Sequence, residues 1–388
     1  MAVPLLRKGG RMADGPVWAL GLMSGTSMDG VDAALIRTDG DTVTAVGPSV
    51  MESYDEGFRD KLRAILGARQ GTPEIEAVER ELTLRHADAV RALLALASIP
   101  MSEVAVIGFH GQTIAHDPAK RFTWQIGDGD LLACETGLPV VCDFRSADVA
   151  AGGEGAPFAP AYHQAIMMGQ AKPAVVLNLG GVGNVTWMDD DALPIAFDTG
   201  PGNALIDDWL MTEAGIAFDE GGKIASAGKV VPDVLARLLD HPYFDRLPPK
   251  SLDRNDFSAD AVSNLSLEDG AATLAAFTVE SVAKAPYPKP PVSVFVTGGG
   301  RKNATLMRGL SERLGVPVLP IEEAGYDGDA LEAQAFAFLA VRHLRGLPTS
   351  FPSTTAVPAP ICGGKLCHPP QDMQRPSEGK PAKNQSAA

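Results

Sequence analysis

The sequence predicts an α/β protein made of two similar halves facing each other across a cleft. Three observations predict it. Each half opens with an apolar strand, a glycine-rich turn and a second strand, and then changes to helical periodicity. Three glycine-rich turns, at 25–30, 180–184 and 298–300, each follow a strand-like run. A chain of 388 residues also exceeds what one ordinary core holds.

The elements follow in order. Apolar runs near 17–23, 31–37 and 43–50 read as strands, the first pair joined through Ser24, Gly25, Thr26, Ser27, Met28, Asp29 and Gly30. Residues 55–69 and 74–98 carry helical periodicity, the second with Val78, Leu82, Leu84, Ala89, Leu93 and Leu96 on one face. A short strand over 104–109 ends at His110-Gly111-Gln112-Thr113, and another over 138–142 ends at Asp143-Phe144-Arg145. The glycine-rich loop at 152–157 marks the division between the halves. Strands are then expected at 174–179, 185–188, 195–197 and 292–296, with helices from about Ala204 and Asn303. A last long helix is expected over roughly 329–345. The domain division is 17–142 and 143–340, with a last helix at about 340–364 packing back on the first domain. Residues 1–16 read as a flexible extension, with Met12 a candidate natural start, and 365–388 as a disordered tail rich in Pro, Lys, Gln and Ser.

Composition removes several functions. With 33 basic and 48 acidic residues the net charge is −15, and no basic stripe is present to track a nucleic-acid backbone. A single nucleotide is still admissible, because backbone N–H groups and a metal ion can hold a triphosphate. Four scattered cysteines fit a reducing compartment. Cys362, Cys367 and His368 lack a fourth ligand for a metal site. No apolar run approaches the ~20 residues that span a bilayer. Val3-Pro4-Leu5-Leu6 precedes Arg7 and Lys8, the reverse of a signal peptide. The expectation is a cytoplasmic protein without a membrane partner.

The turn at 25–30 concentrates hydroxyls and uncovered N–H groups, with Val31 leading into the next strand. Asp29 and Asp32 add carboxylates beside it. Such a hairpin can wrap a polyphosphate while an acid positions a hydrated cation. Taken alone it reads first as an ordinary Gly/Ser hairpin turn. None of the three glycine turns fits the dinucleotide fingerprint G-x-G-x-x-G, and the Gly-Lys-Ser/Thr phosphate loop is missing. Two phosphate hairpins with a third glycine turn before a helix instead resemble the superfamily of hexokinase, actin and the heat-shock ATPases. That likeness implies two actin-like (ribonuclease H-like) domains around a nucleotide cleft.

Longer segments sharpen the likeness. Gly-Leu-Met-Ser-Gly-Thr-Ser-Met-Asp-Gly-Val-Asp at 21–32, His-Gly-Gln-Thr at 110–113 and Asp-Phe-Arg-x-x-Asp at 143–148 resemble the anhydro-N-acetylmuramic acid kinases. So do Phe-Asp-Thr-Gly-Pro-Gly-Asn at 197–203 and Gly-Gly-Gly-x-x-Asn at 298–303, and the likeness runs from about 17 to about 365. It implies an ATP-dependent enzyme of cell-wall recycling that opens the anhydro bridge of its sugar with water and phosphorylates the freed 6-oxygen. On that reaction, Asp198 is the candidate base for water; its alternative role is to cap the helix after Asn203. Asp148 is the rival base, with contact to the substrate and a structural pair with Arg145 as its other roles. Arg145 is a candidate for the lactyl carboxylate of the sugar. His110, Gln112 and Thr113 are candidates for its hydroxyls or acetamido group, and Glu332 faces the cleft in the family. For ATP, residues 25–32, Asn178, Gly180 and Gly181 would hold phosphates, with Gly298, Gly299 and Gly300 along the adenosine. Asp29 and Asp32 would act on Mg2+ through water.

Such a site must admit one water to the anomeric carbon and keep water from the γ-phosphate, which implies closure around the sugar. Glu154 and Gly183 depart from family preferences for Gln and Ala, and neither touches a proposed catalytic group. The family likeness suggests a homodimer. A plain hexosamine kinase and a chaperone-like ATPase are the competing readings, and the chain shows no peptide-binding module for the second.

Overall fold

The computed structural model describes residues 15–370. Its first sheet grows from the opening hairpin. β1 (Val17–Ser24), β2 (Gly30–Thr38) and β3 (Val43–Ser53) form an antiparallel meander. β4 (Val104–Asp117) runs parallel to β1, β5 (Phe122–Ile126) folds back on the end of β4, and β6 (Val140–Cys142) runs parallel to β4. The second sheet repeats the plan. β7 (Ala174–Leu179), β8 (Val182–Met188) and β9 (Ile195–Pro201) make the meander, and β10 (Ser293–Thr297) and β11 (Val318–Pro320) add in parallel beside β7. With β5 left aside, the remaining five of these strands in the first sheet and the five of the second are both ordered 3-2-1-4-5. The two similar halves expected from the sequence are therefore present as one topology used twice.

The central strands are near-continuous apolar runs because both faces of the sheet are covered. On β1 and β2, Leu20, Leu22, Val31, Ala33 and Leu35 face the long helix Pro73–Ala97, while Ala19, Ala34 and Ile36 face the helix Leu331–Leu344. Burying each large apolar side chain there contributes roughly 1.5–3 kcal/mol. The second of these helices sits unusually close. A Cβ built on Gly21 would lie 1.7 Å from Ala333 O, and one on its β4 neighbour Gly108 would lie 2.0 Å from Phe336 O. The missing side chains let the helix backbone rest directly on the sheet, which fixes where its first residues emerge. On its other side the helix meets the helix Pro160–Ile166, where buried Tyr162 donates to Gln334 Oε1 at 2.7 Å.

Several expectations need correction. Helix Pro73–Ala97 buries Val78, Leu82, Ala89 and Leu93 as expected, but Leu84 is only half-buried and Leu96 is 59% exposed. His86 is buried in their stead, its Nδ1 facing Leu82 O at 2.8 Å. β4 does not stop at Phe109 but continues through His110-Gly111-Gln112-Thr113, because β5 supplies a second ladder beyond the turn that the glycine suggested. β9 likewise runs past Phe197 to Pro201, since β8 keeps pairing with it. The last helix ends at Leu344, and 345–364 is mostly loop around a short helix, Pro352–Thr355. Because the helix Leu331–Leu344 packs on β1, β2 and β4, residues 331–340 belong with the first sheet, not with 143–340. The tail does not begin as disorder: β12 (Lys365–Cys367) pairs antiparallel with β6, extending the first sheet. Most of the expected extension and the remainder of the tail, 1–14 and 371–388, lie outside the described residues. Among the described residues no helix is long and apolar enough to cross a membrane.

Candidate active site

The opening turn is braced from behind. Ser24 Oγ donates to Gln112 Oε1 at 2.6 Å, Gln112 Nε2 donates to Gly25 O at 3.1 Å, and Tyr54 OH donates to Ser24 Oγ at 3.0 Å. Gln112 is fully buried, so the structure places it beneath the turn and not against a ligand. The turn closes with Met28 N donating to Gly25 O, and Met28 itself takes a left-handed φ of 53°. Thr26 and Ser27 stand exposed at its tip, where Ser27 Oγ donates to Asp29 Oδ1 at 2.8 Å.

The second glycine turn is tied to the strand bearing Asp198. Asn203 N donates to Gly180 O at 2.7 Å, Gly202 N to Gly181 O at 2.9 Å, and Asn203 Nδ2 to Leu179 O at 2.8 Å. Gly298 lies against the same turn: its φ is +75°, and a Cβ there would sit 2.3 Å from Asn178 Oδ1. Only a glycine meets both constraints. Gly299 and Gly300 follow in a 3-10 turn, and Asn303 caps the next helix by accepting from Thr305 N and Leu306 N.

Register then assembles a row of polar side chains that no single segment contains. Thr297 is the partner of Asn178, Asn178 of Asn184, and Asn184 of Asp198, across β10, β7, β8 and β9. Cross-strand partners share a face, so these four line up along one side of the second sheet. Thr297, Asn178 and Asn184 wall a cavity of about 370 Å³ between the sheets. Met23, Asp32, Glu332 and Phe336 wall it from the first sheet and its helix, and Arg145 from the segment that follows β6.

Asp198 ends this row, one strand beyond Asn184 and outside the cavity lining. It caps no helix: its Oδ2 accepts from Leu252 N at 2.8 Å, and the loop over it is fixed by Tyr243 OH on Asp198 O at 2.6 Å. Burial pushes its carboxyl up to about 6, against the pull of Leu252 N–H and Lys250. Asp32 is pushed up to about 7 by burial and then by Asp29, Glu332, Asp329 and Asp327. Glu332 opens onto the cavity, and the surrounding protein raises its carboxyl above the ordinary value while Arg145 opposes the rise.

Arg145 is held by its neighbours. Its Nε donates to His110 Nε2 at 2.9 Å and its Nη1 to Gly155 O at 2.5 Å, and burial lowers it to about 10, so it remains charged at neutral pH. His110 is buried against Phe336, and burial, then Arg145, keeps it neutral well below its usual value. The Nδ1–H can then donate to Gly111 O, 2.8 Å away, so His110 orients Arg145 and does not line the cavity. Thr113 also lies off the cavity, accepting from Gln125 Nε2 at 3.2 Å. Asp148 needs the clearest correction: it is 0% exposed and its carboxylate is occupied by Gly155 N, Ser350 Oγ and Thr355 Oγ1. It is neither a base nor a substrate contact in this arrangement.

The sequence reading did not single out Asn184, Thr297, Asp329 or His163. His163 lines the cavity with its Nδ1 2.9 Å from Thr186 Oγ1, and burial lowers it to about 4. Its position one turn into a short helix gave no local signal. A second cavity of about 700 Å³ opens beyond Gly299, bordered by Asn203, Ile206, Asp207, Phe218 and Asn303. Among the described residues no three His, Cys, Asp or Glu side chains converge as direct metal ligands, Cys362, Cys367 and His368 included.

Comparison with known proteins decides the family. The family model described as anhydro-N-acetylmuramic acid kinase matches residues 17–367. The chain belongs to the anhydro-N-acetylmuramic acid kinase family. A relative of that name from Paramagnetospirillum magneticum is 55% identical over 352 residues, covering 89% of this chain and 98% of the relative. Another from Rhodospirillum rubrum is 54% identical, covering 91% and 95%. Among solved structures, the (R)-2-hydroxyglutaryl-CoA dehydratase component A of Acidaminococcus fermentans aligns with a TM-score of 0.45 and 12% identity, over 85% of this chain and 99% of that one. The kinase family motifs read from the sequence thus fall at the two glycine turns, the polar row and the wall that carries Arg145.

Proposed function

We propose that this chain is an ATP-dependent kinase of peptidoglycan recycling that opens 1,6-anhydro-N-acetylmuramic acid with water and yields N-acetylmuramic acid 6-phosphate. Family membership over 17–367 supports the activity. The observation that carries the chemistry is Asp198 at the end of the polar row, with a carboxyl near 6 that is mostly ionised at pH 7.

In this reading the anhydro sugar occupies the cavity between the sheets, with its lactyl carboxylate on Arg145 and its hydroxyls toward Glu332 and Asn184. Closure brings Asp198 to the anomeric carbon. Asp198 takes a proton from water as the water oxygen bonds to that carbon and the bond to the bridging 6-oxygen breaks. The freed 6-oxygen attacks the γ-phosphorus, and ADP leaves with the bond electrons. The turns at 25–30 and 180–181 offer N–H and O–H donors to the phosphates, and the cavity beyond Gly299 takes the nucleoside.

The acidic residues around Asp32 fit a hydrated cation. Burial and four neighbouring carboxylates raise Asp32, and a divalent ion would relieve that repulsion. Without a converging ligand set, Asp29 and Asp32 would hold Mg2+ through its waters. Held there with ATP, Mg2+ would supply charge neutralisation for the transferring phosphoryl group. A cytoplasmic homodimer completes the proposal, checked by sedimentation of the purified chain.

The test is mass spectrometry of product formed from the anhydro sugar, ATP and magnesium in ¹⁸O-water. One labelled oxygen at the anomeric carbon of a 6-phosphorylated product is expected. An unlabelled phosphosugar, or phosphorylation of N-acetylglucosamine in preference to the anhydro sugar, refutes the assignment.

A further inference from the structure

Asp148 is a buried acid without an ion-pair partner among the described residues. Its Oδ1 accepts Gly155 N–H at 2.8 Å, and its Oδ2 accepts Ser350 Oγ–H at 2.5 Å and Thr355 Oγ1–H at 2.6 Å. Arg145, three residues earlier, makes no hydrogen bond to it and donates instead to Gly155 O. One glycine is therefore gripped twice, through its N–H by Asp148 and through its C=O by Arg145. The loop around it is pinned further, with Gly153 N on Asp148 O at 2.9 Å and Glu154 N on Thr355 O at 2.6 Å. The carboxylate packs directly on the loop, where a Cβ on Gly153 would lie 2.2 Å from Asp148 Oδ1 and leave no room for a side chain. Arg145 Nη2 carries no hydrogen bond to another described residue, and the guanidinium borders the cavity.

We propose that Asp148 is a positioning residue for recognition of the substrate's carboxylate: through Gly155 it fixes the Arg145 guanidinium at the cavity wall. The segment 350–355, remote in sequence, is part of the same device, since Ser350 and Thr355 hold the acid in place. A buried carboxylate satisfied by three donors is rigid, and a rigid guanidinium loses less freedom on binding an anion. This inference rests on the reading of Arg145 as the lactyl-carboxylate contact.

The test measures binding of 1,6-anhydro-N-acetylmuramic acid by calorimetry to the full chain and to Asp148→Asn, Arg145→Gln and the double variant. Each single variant is expected to weaken the sugar about tenfold, and the double to be no weaker than Arg145→Gln alone, as for residues acting through one another. The KM for ATP stays unchanged. 1,6-Anhydro-N-acetylglucosamine, which lacks the lactyl group, binds the native chain and Asp148→Asn equally well. Effects that multiply in the double variant, equal weakening of both sugars, or native affinity in Asp148→Asn overturn the proposal. If Arg145→Gln alone leaves affinity unchanged, the reading of Arg145 fails first, which is a separate result. Should Asp148→Asn fail to fold, Thr355→Val replaces it, with Thr355→Ser expected to restore affinity and failure to do so counting against the proposal.

Discussion

Replacing Asp198 with Asn should separate activity from stability. The carboxyl lies near 6 in the folded chain against an ordinary 3.8, chiefly because it is desolvated. A group raised in this way makes the folded state less stable when ionised, so the cost is fully present above the folded value and disappears as pH falls toward 3.8. The shift corresponds to roughly 3 kcal/mol as an upper bound, and partial solvent access reduces it to about 2 kcal/mol. Asn keeps an oxygen for Leu252 N–H and carries no charge. At pH 7.5 the Asp198→Asn variant should therefore resist urea better than the native chain, with the difference shrinking toward pH 4. Turnover should fall roughly 10²–10⁴-fold, the usual worth of a general base. The native rate gives a further check: an acid near 6 is about nine-tenths ionised at pH 7 and one-tenth at pH 5, so kcat/KM should drop close to tenfold over that interval. A base at 3.8 would leave the interval nearly flat. Near-normal turnover in Asp198→Asn, or a flat profile with no gain in stability, would refute the reasoning.

Three other perturbations test the frame around this group. Gly21→Ala forces Ala333 O from 1.7 Å to an ordinary contact of about 3.4 Å, so the helix must lift from the sheet; a loss of about 3 kcal/mol is expected in denaturant titration, and an unchanged midpoint would contradict the contact. Gln112→Leu removes two of the three bonds that brace the opening turn. It should raise the KM for ATP about tenfold while sugar affinity stays near native in direct binding measurements. Because Asp32 titrates near 7, the Mg2+ concentration for half-maximal rate should rise as pH falls from 8 to 6. Asp32→Asn should flatten that dependence, and a parallel dependence in the variant would remove Asp32 from the metal's surroundings.

What could be read from the sequence was whatever the chain carries in one continuous stretch. The turn at 25–30 declared itself because its glycines, hydroxyls and acids are adjacent. The repeated strand–turn–strand opening declared the paired sheets for the same reason. The polar row could not be read that way, since strand register joins Thr297 to Asn178 and Asn184 to Asp198. Asp148 and Gln112 were misplaced for a different reason. A buried acid or amide satisfied by distant hydroxyls has the same local spelling as one that meets a ligand, and Ser350 and Thr355 lie some two hundred positions away. Strand β12 was hidden by composition: a Pro- and Lys-rich tail resembles disorder until an open sheet edge offers it a ladder.

The contact between Tyr162 and Gln334 has a mechanical meaning. The chain passes from the first sheet to the second between β6 and β7 and returns between β11 and the helix Leu331–Leu344. Two covalent crossings resist torsion of one sheet against the other, as two pins do for a door, and leave swinging about the line between them as the soft motion. The Tyr162–Gln334 bond joins the helices at those crossings and lies in the interior, at 2.7 Å. Glu332, two residues before Gln334, is thus mounted beside the pivot, while Asp198 rides on the far leaf. If the leaves swing about that line when the proposed closure occurs, a group beside the pivot moves less than one on the far leaf, so Asp198 would travel and Glu332 would stay.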